Sequence, residues 1–243
     1  MSFSFLPDVF AHLKKHTRYK MKKKTRISQN TKMLTGVAAF SALAYGISLV
    51  TNIKIGFLTF DAKDAVITVA SFIYGPLSSV IMSLITAFLE FISIGSTGPW
   101  GALMDFVSTF SFTFTAAIIY KYRRCLSGAI IALGSAVCAY VAVMMIANLL
   151  ITPIYMGVGV DTVKAMIPTM LLPFNTAKAL MNGALVMLIY KPVVKLTRRI
   201  GLAKSKSESK SGGKIFTGDT LIMASIAACA MAVAIVIFVI LSK

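Results

Sequence analysis

PFNTAKALMNG, residues 173–183, places a lysine inside an apolar run that otherwise has the length and composition of a membrane span. Burying Lys178 at that depth costs about 2.5–3.5 kcal/mol even on a lenient insertion scale, so an ionisable residue there marks a functional site by default. Asn175, Lys178 and Asn182 stand at i, i+3 and i+7, which puts all three on one helix face. Pro173 suits a first helical turn, setting Asn175 and Lys178 near one mouth of the span. A lysine near a helix end also snorkels to the headgroups. Two asparagines on the same face favour an inward-facing, functional lysine.

Around this stretch the chain is 57% hydrophobic with a mean hydropathy of +0.82. Its apolar residues come in runs of about 18 or more, the length of a helix that crosses a bilayer. The expected class is an all-α integral membrane protein. A net charge of +17 on a soluble domain would point to nucleic acid. Here 20 of the 25 Lys and Arg fall within residues 1–32, 121–124 and 191–214, flanking spans on one side. The positive-inside rule puts that side in the cytoplasm. Residues 1–32 lack the apolar core and cleavage site of a secretory signal and stay there too. The cluster MKKK at 21–24 resembles a start of its own, so residues 1–20 read as an extended start or loose tail. Cys125, Cys138 and Cys229 form no CxxC pair or metal spacing, and the last two read as small core residues.

Four regions are expected: a basic cytoplasmic tail (1–32), a six-helix membrane domain (33–192), a basic flexible linker (193–219) and one additional transmembrane helix (220–243). The first span, Met33–Val50, carries Ala38 and Ala42 at i and i+4, a spacing that lets another helix approach closely. That face either docks a partner or packs within the bundle. Thr51–Asp64 is an apolar, aromatic loop containing Phe57, Leu58, Phe60 and Asp61, better suited to covering a cavity than to water. A short helix follows, beginning within that loop and ending at Gly75-Pro76, with Asp64, Thr68 and Ser71 on one face.

The third span, Leu77–Ile94, holds Glu90, and the fourth, Ala102–Tyr120, holds Asp105. Between them GSTGPWG (95–101) carries Trp100, either an interfacial anchor, the commoner use, or a stacking platform. The fifth, Leu126–Ile151, has Asn148 near its end, and the sixth is Pro173–Tyr190. The resulting map has seven helices, with the amino terminus in the cytoplasm and the carboxyl terminus outside. It brings the Phe57–Asp64 loop, Gly95–Gly101, Asn148 and the Asn175–Lys178 face to one outward mouth, as a ligand pocket requires. The only histidines, His12 and His16, are in the tail, and no GxxxxGK[ST] phosphate loop occurs. Neither an enzyme nor a self-powered pump is expected. Glu90 and Asp105 are expected to compensate Lys178 or line the cavity, because a lone buried charge seeks a partner.

FLTFDAKD (57–64), YGPLSSV (74–80), GSTGPWG (95–101), the Asn148 to Tyr155 segment and PFNTAK (173–178) together resemble the riboflavin-specific S component of energy-coupling-factor (ECF) vitamin transporters. The likeness runs from about Met33 to Tyr190. It implies a six-helix substrate-binding subunit that takes riboflavin, as transported ligand rather than cofactor, from outside. It also implies partnership with a transmembrane T component and two ATPases. The family's ligand-covering loop matches Leu58, Phe60 and Asp61, and its flavin-ring residues match Asn148, Asn175 and Lys178. Its contact with the T component matches Ala38 and Ala42. Asp105 stands where the family has an asparagine, and the seventh helix lies outside the family pattern. The residues agree with the resemblance: a uracil-like ring edge alternates carbonyl acceptors with an N–H donor, which an asparagine amide mirrors and a lysine supplements. The rival readings are an S component for another vitamin, such as thiamine or folate, a free-standing solute carrier, and a structural or sensory membrane protein. The chain shows no convincing internal repeat of the kind free-standing carriers carry.

Overall fold

The computed structural model describes residues 30–55, 58–95, 98–199 and 218–241. Residues 1–29 of the basic tail, Phe57, residues 96–97 of the GSTGPWG loop and residues 200–217 of the linker lie outside the described residues. The elements are helix α1 (Asn30–Thr51), strands β1 (Ile53–Ile55) and β2 (Leu58–Phe60), and helices α2 (Lys63–Tyr74), α3 (Pro76–Ser93) and α4 (Gly98–Tyr122). There follow α5 (Leu126–Met156), α6 (Val160–Met166), a π-helical turn (Ile167–Leu171), α7 (Leu172–Arg199) and α8 (Gly218–Leu241). Five described helical stretches are long and apolar enough to cross a membrane: α1, α3, α4, α5 and the run from Val160 to Tyr190. With the short α2 they make the expected six-helix bundle, and α8 is the additional helix, lying along α7.

Lipid is as apolar as leucine, so burial inside such a bundle is decided by side-chain size and close packing rather than by hydrophobicity. α5 is apolar on every face, yet Ala129, Ala132, Ala136 and Tyr140 recur at helical spacing and are buried. Its larger Ile131, Ile146, Leu150 and Ile154 point outward. The inward stripe meets Phe112, Ala116 and Tyr120 of α4 and Ala179, Val186 and Tyr190 of α7 in one core. Cys138 and Cys229 are exposed rather than core residues. With alanines taking the close contacts, Cys138 is left on the outward face of α5.

α2 is the short helix at the centre. At 12 residues it is too short to span a bilayer. Every residue from Lys63 to Phe72 is buried, against α3, α4 and α7, with Val66, Ile67 and Ala70 meeting Val37 and Ala44 of α1. It stops at Gly75, whose φ of 101° suits glycine, and Pro76 then opens α3.

Three local readings change. Thr51–Asp64 is not an open loop: β1 and β2 pair antiparallel, Ile53 opposite Phe60 and Ile55 opposite Leu58, so a small hairpin joins an otherwise helical fold. The segment before Pro173 is helical, because α6 and the π turn lead directly into α7. α7 itself continues through Pro192 to Arg199, past the expected end of the sixth span, and α5 likewise runs through Pro153 to Met156.

Candidate functional site

The Asn175–Lys178–Asn182 face of α7 is turned into the bundle, with all three side chains buried. Lys178, only 4% exposed, donates from Nζ to Asp61 Oδ2 at 2.8 Å and to the Thr59 carbonyl at 3.1 Å. The lysine thus pins the hairpin and the turn after it onto α7. Asn182 completes the joint. Its Oδ1 accepts from the Ala65 N–H at 3.1 Å, and its Nδ2 donates to the Asp61 carbonyl at 3.1 Å. α2 has no side-chain cap of its own at Ala62, so a residue of another helix satisfies one of the free N–H groups of its first turn.

The structure adds a residue that the sequence reading passed over. Lys63, at the first position of α2, is 0% exposed. Its Nζ donates to Glu90 Oε2 at 2.6 Å and Asp105 Oδ1 at 2.5 Å, with Asp61 Oδ2 4.0 Å away. Glu90 also accepts from Ser48 Oγ of α1 through Oε1 at 2.5 Å. Of the two expectations for Glu90 and Asp105, compensating Lys178 gives way: they compensate Lys63, and Asp61 compensates Lys178; the other, lining a cavity, is what both acids do. The physical reason is position: Lys63 enters between α3 and α4, where the two acids project, whereas Lys178 reaches toward the hairpin. One signal was available. Several acids in apolar surroundings need more than one buried cation, and Lys63 adjoins the helix that begins inside the FDAKD stretch.

Beneath the hairpin is a cavity between α3, α4, α5 and α7. Of the expected site residues, Leu58, Glu90, Asp105, Asn148, Asn175 and Lys178 line it. Phe60 is instead packed with Leu58, Val163, Leu171 and Phe174, in a small core that seats the hairpin on α6, the π turn and α7. Asp61 lies behind Lys178 and does not line the cavity. Trp100 is in the first turn of α4, 41% exposed and outside the lining. Thr59, Phe91, Tyr140 and Tyr155 are lining residues that the sequence reading did not single out.

The amides are partly committed. Asn148 donates to the Met144 carbonyl at 2.7 Å and accepts from Thr152 Oγ1 at 3.0 Å. Asn175 donates to the Leu171 carbonyl at 2.7 Å, and its Oδ1 accepts from none of the described residues. Lys178 uses two of its three N–H donors within the protein. This wall can therefore offer an acceptor and a charged donor to a flat polar ligand, with Leu58, Phe91 and Phe174 supplying apolar surface. Among the described residues no group of three or more His, Cys, Asp or Glu could hold a metal ion.

On α1, Ala38 and Ala42 are exposed, while Val37 and Ala44 pack against α2 and α3. A Cβ placed on Gly46, one turn beyond Ala42, would meet open space. The small-residue stripe thus faces away from the described bundle.

The chain is similar to known membrane transporters along most of its length. It is 27% identical over 192 residues to the riboflavin transporter RibU of Staphylococcus aureus (strain TCH60), covering 74% of this chain and 98% of that protein. To the riboflavin transporter FmnP of Bacillus subtilis (strain 168) it is 26% identical over 171 residues, 65% of this chain and 90% of that one. The fold resembles a solved S component of a bacterial ECF transporter, with a TM-score of 0.60 and 26% identity over 70% of this chain and 99% of that one. Residues 32–190, more than half of the chain and the whole of the cavity, match the family model described as the substrate-specific component of ECF transporters. The chain belongs to that family.

Proposed function

We propose that this protein is the riboflavin-binding S component of an ECF transporter, taking the vitamin from outside the cell and delivering it inward with a T component and two ATPase subunits. The observation that carries the reading is the single wall formed by Asn148, Asn175 and Lys178. It sits in a family member whose relatives above are named riboflavin transporters. The isoalloxazine ring lies against this wall, its carbonyl and N–H edge toward Asn175 Oδ1 and the free N–H of Lys178, with the Leu58 hairpin over it. The hairpin is the cover. Because Lys178 holds the Thr59 carbonyl and the Asp61 carboxylate, a ligand that engages Lys178 also acts on the cover.

The exposed Ala38–Ala42 stripe of α1 is the docking face for the T component, since small side chains permit close approach of a partner helix. The protein is multi-pass in the bacterial cell membrane, with the amino terminus in the cytoplasm and the carboxyl terminus outside. Purification in a mild detergent tests the ligand assignment. The protein should come out yellow, and acid denaturation should release unmodified riboflavin. Colourless protein that gains no flavin absorbance on mixing with riboflavin would refute it.

A further inference from the structure

The two sides of the cavity differ in charge. The wall on α5 and α7 presents Asn148, Asn175 and Lys178, and the positive charge of Lys178 is answered by Asp61 behind it. The wall on α3 and α4 presents Glu90 and Asp105. The cation that pairs them, Lys63, is fully buried and is not part of the lining, so a ligand meets the carboxylates rather than the ammonium. Two carboxylates share one ammonium, which leaves this wall net negative. Both oxygens of Glu90 are engaged, by Ser48 and Lys63. Asp105 is different. Its Oδ1 accepts from Lys63, while its Oδ2 is a buried atom with no hydrogen-bond partner among the described residues. A buried acceptor left unsatisfied is costly, and a ligand donor that reaches it recovers that cost.

We infer that Asp105, with Glu90 beside it, is a specificity-determining residue that accepts a hydrogen bond from a hydroxyl of a neutral polyol chain and rejects a phosphorylated one. This rests on the proposal that the cavity holds riboflavin. With the acceptor-rich ring edge at the amide and ammonium wall, the ribityl chain extends to the carboxylate wall. Its hydroxyls supply the donors that Asp105 Oδ2 lacks. A 5′-phosphate placed there brings more negative charge against two carboxylates, with the nearest ammonium already bound to both. The remaining charged residue of the described lining, Lys54 of β1, is itself exposed, where solvent screens it. The site therefore takes free riboflavin and excludes flavin mononucleotide by charge.

The test titrates the full chain, purified in detergent, with riboflavin, flavin mononucleotide and the neutral 5′-acetate of riboflavin, followed by flavin fluorescence. Wild-type protein should bind the mononucleotide at least about 100-fold more weakly than riboflavin, and the acetate within about tenfold of it. Asp105→Asn should weaken riboflavin binding and narrow the riboflavin-to-mononucleotide ratio by about tenfold or more. Equal rejection of acetate and mononucleotide would make the exclusion steric and overturn the inference. So would tight mononucleotide binding to wild type, or an unchanged ratio in folded Asp105→Asn. Those wild-type arms decide the matter even if the variant fails to fold. Absence of riboflavin binding by wild type would instead remove the underlying ligand assignment.

Discussion

Lys63→Met removes the cation that joins α2 to α3 and α4 and leaves the shape of the side chain roughly unchanged. Two charge-assisted hydrogen bonds disappear, at 2.6 Å to Glu90 and 2.5 Å to Asp105. Breaking a buried pair by removing one partner costs about 3–5 kcal/mol, because the remaining charge stays buried without compensation. Here the acid side chains are 12% and 20% exposed, so each can recruit a proton or a cavity water, and the lower end, about 3 kcal/mol, is the better figure. For a chain of this size that corresponds to a fall in unfolding midpoint of roughly 6–12 °C. The triple variant Lys63→Met, Glu90→Gln, Asp105→Asn removes all three charges together and should recover most of the loss, since replacing a whole buried ionic group is often close to neutral. Thermal unfolding in one detergent, read by intrinsic fluorescence, compares the three proteins. A single variant as stable as wild type, or a triple variant worse than the single, would refute the claim that Lys63 holds these helices by neutralising the two acids.

Three further perturbations follow from the arrangement. Lys178→Ala should weaken riboflavin binding by about 1.5–3 kcal/mol, the range for a hydrogen bond to a charged group, read by fluorescence titration; unchanged affinity would remove the lysine from the site. Ala42→Trp should leave flavin binding intact while preventing co-purification with the T component and ATPases and abolishing uptake, because Ala42 is exposed outside the described bundle. Truncation after residue 203, which removes α8, should leave flavin binding intact, since α8 contributes none of the described residues that line the cavity; loss of binding in a folded truncation would show that α8 supports the α7 wall it lies along.

The parts of this fold legible in the sequence are those whose signal is long or chemically unusual. Spans of 18 residues or more announce themselves by hydropathy, and Gly75-Pro76 announces the end of the short central helix. Polar residues repeating along PFNTAKALMN announce an inward face, because a lysine alone can snorkel to the headgroups but two amides on its face are costly against lipid. The hairpin was hidden for the opposite reason. Strands of three residues each carry little periodic signal, and IKIGFLTF reads as a generic apolar loop beside helical runs many times longer. α6 was concealed by its length of seven residues and its mixed composition. Pairing of charges was the least legible feature. Which of Glu90, Asp105 and Asp61 meets Lys63 or Lys178 depends on how four separate segments come together, the FDAKD stretch, α3, α4 and α7, and no local pattern encodes it. The outward position of Cys138 had a similar cause: on a helix apolar all round, which small residues enter the core is settled by the neighbours they meet.

The central claim is that this cavity is a riboflavin site, and direct titration of riboflavin into the purified full-length protein tests it most closely, with thiamine and folate measured alongside. The account predicts saturable quenching of flavin fluorescence at one riboflavin per chain, undisturbed by excess thiamine or folate. Folded protein that shows no saturable quenching, or that releases riboflavin to either competitor, would contradict it.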